Sequence, residues 1–123
     1  MVKLVYCLRR LSHLSRDEFQ RYWCETHGPL VRGHAPALSI RRYVQSHTLE
    51  HPLSAGLSAS RGCQDDPFDG VAELWWDSAE ALLAAMATDH GQSAGEELLA
   101  DERRFIDHAR SVLWLSEERP FVP

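Results

Sequence analysis

Ser15 to Leu30, SRDEFQRYWCETHGPL, is the stretch on which the architecture turns. Ser15 with Glu18 three residues later is a capping box: the hydroxyl accepts from the amide of residue 18 while the carboxylate reaches back to the amide of residue 15. From there Phe19, Tyr22, Trp23, Thr26 and Leu30 recur at three- and four-residue intervals, so one helix face is apolar and aromatic. The run ends on His27, and Gly28-Pro29 follows at once. Proline disfavours helical geometry in the residue before it, and glycine tolerates whatever geometry results, so the helix is expected to stop here. His27 then has two readings. It caps the helix C-terminus, where a cationic ring meets exposed carbonyls, or it is held as a general acid or base facing the space beside a sheet.

Strand signals flank this helix. Val2 to Arg9 (VKLVYCLR) is short, β-branched and aromatic, and Ile40 to Thr48 (IRRYVQSHT) alternates. Val71 to Trp76 (VAELWW) reads as a third strand, after which Asp77 or Ser78 caps a second helix from Glu80 to Thr88 with Leu82, Leu83 and Met86 as its apolar positions. Asp89 to Ser93 is expected to interrupt it. Helical periodicity resumes from Glu96 to His108, with Leu98, Leu99, Phe105 and Ile106 as candidates for burial, and Ser111 to Ser116 is a final strand.

The order is β-α-β-β-α-β, the ferredoxin-like arrangement: an α+β fold with four antiparallel strands and the helices on one face. No linker or repeat divides residues 1–123, so a single domain is expected, with a long variable loop at 49–70 and an arm at 117–123. The loop, LEHPLSAGLSASRGCQDDPFDG, has no sustained periodicity, and Leu53, Leu57 and Phe68 give it apolar handles with which to cover a cavity mouth. Three strands are apolar on both faces: Leu4 to Leu8, Leu74 to Trp76 and Val112 to Leu115. A sheet with water on one side alternates cleanly. A second copy of the same sheet is the economical cover, giving a homodimer through the sheet face.

The chain has 123 residues, 44% of them hydrophobic and 25% charged, with a formal charge of −5. That balance disfavours nucleic acid and anionic membrane as partners. Three cysteines without C-x-x-C spacing fit a reducing compartment, and no apolar run reaches the ~20 residues of a membrane span. The chain opens on a strand with no apolar leader, and the expectation is a cytoplasmic protein.

Four motifs in order carry a family likeness: F-x-x-Y-W-x-x-x-H-G-P-L-V (Phe19 to Val31), R-Y-V-Q-x-H (Arg42 to His47), F-D-G-V-A-E-L-W (Phe68 to Trp75) and D-E-x-x-F-I-D (Asp101 to Asp107). Together they resemble the EthD-domain family of the dimeric α/β-barrel superfamily. The resemblance implies a small dimeric barrel with a pocket between sheet and helices, working without a cofactor on a small aromatic or polyketide-like ligand. Superfamily relatives include isomerases of lactones, polyketide cyclases, dehydratases, decarboxylases and quinone-forming monooxygenases, so fold and reaction are separate questions.

The candidate catalytic residues are His27 as general base with Tyr43 and His47 as proton donors or carbonyl clamps. Tyr43, Gln45 and His47 share one face of the second strand by its two-residue period. That polar row lines a cavity or pairs across an interface. Trp23, Trp75, Glu73, Tyr6 and Phe68 are candidate substrate-binding residues. Trp75 and Trp76 point to opposite faces, and Glu73 is expected to pair with Arg41 or Arg42. His47-x-x-x-His51 straddles a strand end and a proline-containing loop, where that spacing does not bring two metal ligands together, so no metal site is expected. Proton chemistry on a phenolic, quinonoid, lactone or polyketide-derived substrate leads. Oxygen-dependent oxidation of an electron-rich aromatic and a non-catalytic carrier role are the alternatives.

Overall fold

Residues 1–123 are described by a computed structural model. The strands are β1 (Val2–Leu8), β2 (Arg42–His47), β3 (Gly70–Trp76) and β4 (Val112–Ser116), ordered β2-β3-β1-β4 with every neighbouring pair antiparallel. This is the ferredoxin-like sheet. The helices are α1 (Arg16–Tyr22), α2 (Gly28–Leu38), α3 (Pro52–Ser60), α4 (Ala79–Ala87) and α5 (Asp89–Glu102).

The capping box at Ser15 forms in both directions, Glu18 N–H to Ser15 Oγ and Ser15 N–H to Glu18 Oε1. The helix does not stop at Gly28-Pro29. One π-helical turn, Trp23–His27, joins α1 to α2, closed by the Gly28 amide donating to the Trp23 carbonyl. Gly28 is helical, at φ −55° and ψ −49°. Glycine lacks the Cβ that worsens the clash with a following proline ring, and Pro29 sits in the first turn of α2, where its missing N–H costs least. His27 therefore caps nothing; it lies inside a continuous helical run.

The long connection also differs from expectation. Residues 52–60 form α3, with Pro52 in the first turn and the His51 ring accepting from the Leu53 amide. It closes in a Schellman motif: Gly62 (φ 69°) donates to the Ala59 carbonyl and Cys63 to the Ser58 carbonyl. No α3 residue is buried, and Leu53 and Leu57 point to solvent. Its start and stop are written in single residues, while its Ser/Ala/Gly body has no periodicity to read.

The expected interruption at Asp89 to Ser93 shrinks to one residue. Thr88 leaves helical geometry and its hydroxyl caps α5 through the Gly91 amide. At the far end α5 stops at Glu102, and Phe105 and Ile106 turn inward from a bend tied to the segment after β1 by Leu11 N–H to Phe105 O and Asp107 N–H to Arg9 O. These two join Leu8, Phe19, Trp23 and Ala72 in the core. Leu83 and Met86 of α4 and Leu99 of α5, expected inside, are substantially exposed, because α4 presents Ala85 inward and α5 presents Gly91, Ala94 and Asp101.

Candidate active site

Strand register divides the sheet. Leu4, Tyr6 and Leu8 of β1, Tyr43 of β2, Ala72, Leu74 and Trp76 of β3 and Leu113 of β4 face the helices, and with them His27, Trp23, Glu102, Leu82 and Leu98 enclose a cavity of about 320 Å³. Its wall is almost wholly apolar, with four polar side chains: Tyr6, His27, Tyr43 and Glu102.

His27 is 5% exposed, and its Nδ1 lies 2.8 Å from Oδ2 of Asp101, itself 7% exposed. Asp101 is held from the other side by the Tyr22 hydroxyl, which donates to Oδ1 at 2.5 Å. A carboxylate on Nδ1 makes that nitrogen the proton-bearing one and leaves Nε2 as the free base. Nε2 has no hydrogen-bond partner, and since no buried polar side-chain atom in the molecule lacks one, Nε2 is not sealed in the packing; the ring it belongs to lines the cavity. The Phe105 ring, 5.0 Å from the imidazole, packs it in place.

A second proton pair faces the same space. The Tyr6 hydroxyl donates to Glu102 Oε1 at 2.9 Å, and His108 Nε2 approaches the same oxygen at 3.2 Å. Burial and the neighbouring Glu102 charge push the Tyr6 hydroxyl far up, so it stays protonated. Asp101 and Glu102 thus turn the end of α5 into a two-pronged acceptor. The sequence placed them in a family motif but gave no local sign of their partners, which come from elements about 75 to 95 residues away.

The polar row of β2 is wired as a chain. Gln45 Nε2 donates to the Trp23 carbonyl (2.9 Å) and to the Tyr43 hydroxyl oxygen (2.7 Å), and Gln45 Oε1 accepts from His47 Nε2 (2.8 Å). Because Tyr43 accepts from Gln45, its own O–H hydrogen is free for another partner. Burial pushes this hydroxyl up to about 12, so it is a donor at neutral pH.

Of the residues singled out from sequence, His27, Tyr43, Tyr6 and Trp23 meet at this cavity. His47 does not line it. Its ring stacks on Trp23, centroids 4.5 Å apart, and burial lowers its basicity. Trp75 and Glu73 lie on the opposite sheet face, by the alternation that puts Leu74 and Trp76 inside. Glu73 pairs with Lys3 of β1 at 2.7 Å rather than with Arg41 or Arg42; Arg42, the matching diagonal neighbour on β2, lies over the Trp75 ring instead. The Trp75 indole donates to Glu118 of the C-terminal arm at 2.6 Å. Phe68 lies under the Arg9 guanidinium, 4.2 Å from its ring centre, outside the cavity.

Residues 11–109 match the EthD domain. The chain belongs to the EthD-domain family. Among solved structures, an EthD family protein of Bacillus halodurans C-125 is 24% identical, with 97% of this chain and 99% of that chain covered and a TM-score of 0.64. A protein described as dimeric and ferredoxin-like, from Thermobifida fusca YX, is 14% identical over 94% of this chain and 88% of that one, at a TM-score of 0.55. SnoaB of Streptomyces nogalater, described as a cofactor-independent oxygenase, is 16% identical over 99% and 96%, at 0.50. At these identities the likeness is one of fold. No curated protein matches the chain in sequence, and no helix of this EthD-domain protein is long and apolar enough to cross a membrane.

Proposed function

We propose that this EthD-domain protein is a small-molecule enzyme that moves protons on an apolar, ring-bearing carbonyl or phenolic substrate without help from a cofactor. The observation that carries the reading is the Asp101–His27 pair, whose imidazole, with Nε2 unpartnered, lines a largely apolar cavity of ligand size. His27 Nε2 takes a proton from a carbon beside a carbonyl. The carbonyl oxygen, gaining charge, receives the free hydrogen of Tyr43. Returning the proton to a different carbon isomerises the substrate; passing it to a leaving hydroxyl dehydrates it. Tyr6 with Glu102 is a second donor–acceptor pair on the same wall for that transfer. Trp23 and Trp76 shape the space for a ring. His47 acts through Gln45, fixing which way the Tyr43 hydroxyl faces.

A second copy covers the outer sheet face, where Val5, Val71, Val112 and Trp114 lie and where Val112 and Trp114 remain about half exposed in a single chain.

The test is deuterium exchange into 2-tetralone, followed by NMR in heavy water. The intact protein is expected to exchange the protons beside the carbonyl roughly 10²–10⁴ times faster than the His27→Gln variant, the range that a positioned base supplies. Equal exchange by both proteins would refute the assignment. Oxygen uptake that depends on an added phenol, with no proton exchange, would move the reading to oxidation.

A further inference from the structure

A groove of about 400 Å³ runs between α2 and the β2 edge, with Val31, Arg32, Ile40, Arg41, Arg42 and Tyr43 in its lining. Three of these residues, Val31, Ile40 and Tyr43, also line the inner cavity. The two spaces are therefore back to back, divided by one layer of side chains, and the tyrosine in that layer is the one whose hydroxyl is turned by Gln45.

The groove carries three guanidinium groups and no carboxylate, in a chain with a formal charge of −5. Charge of the opposite sign to the whole molecule, gathered at one opening, is a local field for anions. The three arginines are not equally committed. Arg42 leans over the Trp75 ring, 4.8 Å from its centre, on the other side of the sheet. Arg41 is 3.5 Å from Asp77 in a pair whose partners are both more than half exposed, a contact that solvent weakens. Arg32 takes part in no ion pair and no side-chain hydrogen bond, and it is exposed. Guanidinium forks fit carboxylates through paired N–H donors.

Resting on the proposed function, we infer that the groove is the entrance to the cavity and that the substrate is a carboxylate: an apolar ring system that passes the Val31–Ile40–Tyr43 partition while its acid group stays at Arg32 and Arg41. The acid end fixes which carbons of the ring lie near His27, so the arginines set regiochemistry as well as affinity. A neutral analogue of the same shape lacks that anchor.

Calorimetric titration with 2-naphthoate and with 2-naphthamide tests this on the whole protein. The acid is expected to bind about tenfold more tightly than the amide, the scale of one charge-assisted hydrogen-bonded contact. Raising the salt concentration is expected to narrow that preference. Arg32→Ala combined with Arg41→Ala, both at exposed positions, is expected to erase it, bringing naphthoate down to the affinity of naphthamide; Arg32→Lys alone keeps part of it. Equal binding of the two compounds by the intact protein, or a preference that survives the double substitution, would overturn the arginine entrance and leave the cavity reading standing. Binding of neither compound would overturn the cavity reading and the entrance with it. Ala72→Leu, which narrows the cavity behind the partition, is expected to weaken both compounds. Full naphthoate affinity in that variant would put the acid on the surface and refute the proposal.

Discussion

Replacing Asp101 by Asn exchanges one carboxylate oxygen for an NH2 group and tests the logic of the site. The carboxylate is buried and accepts two short hydrogen bonds, from Tyr22 at 2.5 Å and from His27 at 2.8 Å, with the Arg104 guanidinium 3.8 Å from the Tyr22-facing oxygen. An amide has one oxygen to offer. The Tyr22 side is flanked by a cation, so the amide oxygen goes there and the NH2 group faces His27. A donor opposite Nδ1 strips that nitrogen of its proton and moves it to Nε2, the atom that the proposed chemistry needs bare. Each charge-assisted bond that becomes neutral loses about 1 kcal/mol, so the two together cost about 2 kcal/mol. With an unfolding entropy of about 2.1 cal/mol/K per residue, a chain of this length melts about 8 °C lower. Long-range proton–nitrogen correlation spectra report the tautomer directly, and a thermal melt reports the cost. Proton exchange into 2-tetralone is expected to fall roughly 100-fold or more, although His27 is untouched. A variant that melts unchanged and still shows a bare Nε2 would refute the claim that Asp101 positions His27.

Three further outcomes follow from the geometry. A Cβ on Gly70 would lie 2.7 Å from the Trp23 Cη2 atom and closer still to Cζ3, and the indole is held by the His47 ring, so Gly70→Ala is expected to cost about 2 kcal/mol by overpacking and to change the near-ultraviolet circular dichroism; an unaltered melt and spectrum would contradict this. Burial alone would raise the Asp69 carboxyl, but the Arg10 amide and the Arg16 and Arg10 side chains outweigh it and hold it below its ordinary value of 3.8. Its stabilising effect is therefore complete above about pH 4 and is lost as pH falls through the lower folded value. Asp69→Asn is expected to cost about 2 kcal/mol at neutral pH, discounted for the partly exposed arginines, and to flatten the acid limb of the stability curve; a wild-type acid limb in the variant would refute the assignment. The proposed dimer predicts a two-chain mass for the wild type by native mass spectrometry, and Trp114→Glu, which puts a charge on the outer face of β4, is expected to give a monomer; a dimeric variant would move the interface elsewhere.

What the sequence disclosed follows from the range of each signal. The strands were legible because short runs of β-branched and aromatic residues are a local signal, and the Ser15 capping box because both its members lie within one turn. The cavity's sheet side was half legible: strand period puts Tyr43 beside Gln45 and His47 on one face, yet not how deep each goes. His47 ends up under Trp23 while Tyr43 reaches the cavity, a difference made by where the indole lies across Gly70. Asp101 and Glu102 were invisible as site residues, since a carboxylate near a helix end ordinarily faces water. Only the folding of α5 against the π-turn and β1 gives them Tyr22, His27 and Tyr6. The continuation past Gly28-Pro29 was misjudged because breaker rules describe single residues, and here the wide turn before the proline absorbs the conflict.

That wide turn has a consequence for comparing this chain with others. Phe19, Trp23, His27 and Val31 are all buried and stand four residues apart throughout. An ordinary helix gains about 40° over each such interval, so three intervals would carry the last side chain about 120° away from the first, off any single stripe. The extra residue in the turn between Trp23 and Gly28 unwinds part of that rotation, and all four stay buried. A relative one residue shorter here would lose the slack and return to ordinary winding, and its histidine would point along a different bearing. An alignment that closes the gap by sliding the histidines into one column would then equate side chains that do not occupy the same place. Transplanting the segment that carries His27 between relatives therefore requires Tyr22 to Gly28 to move as one piece.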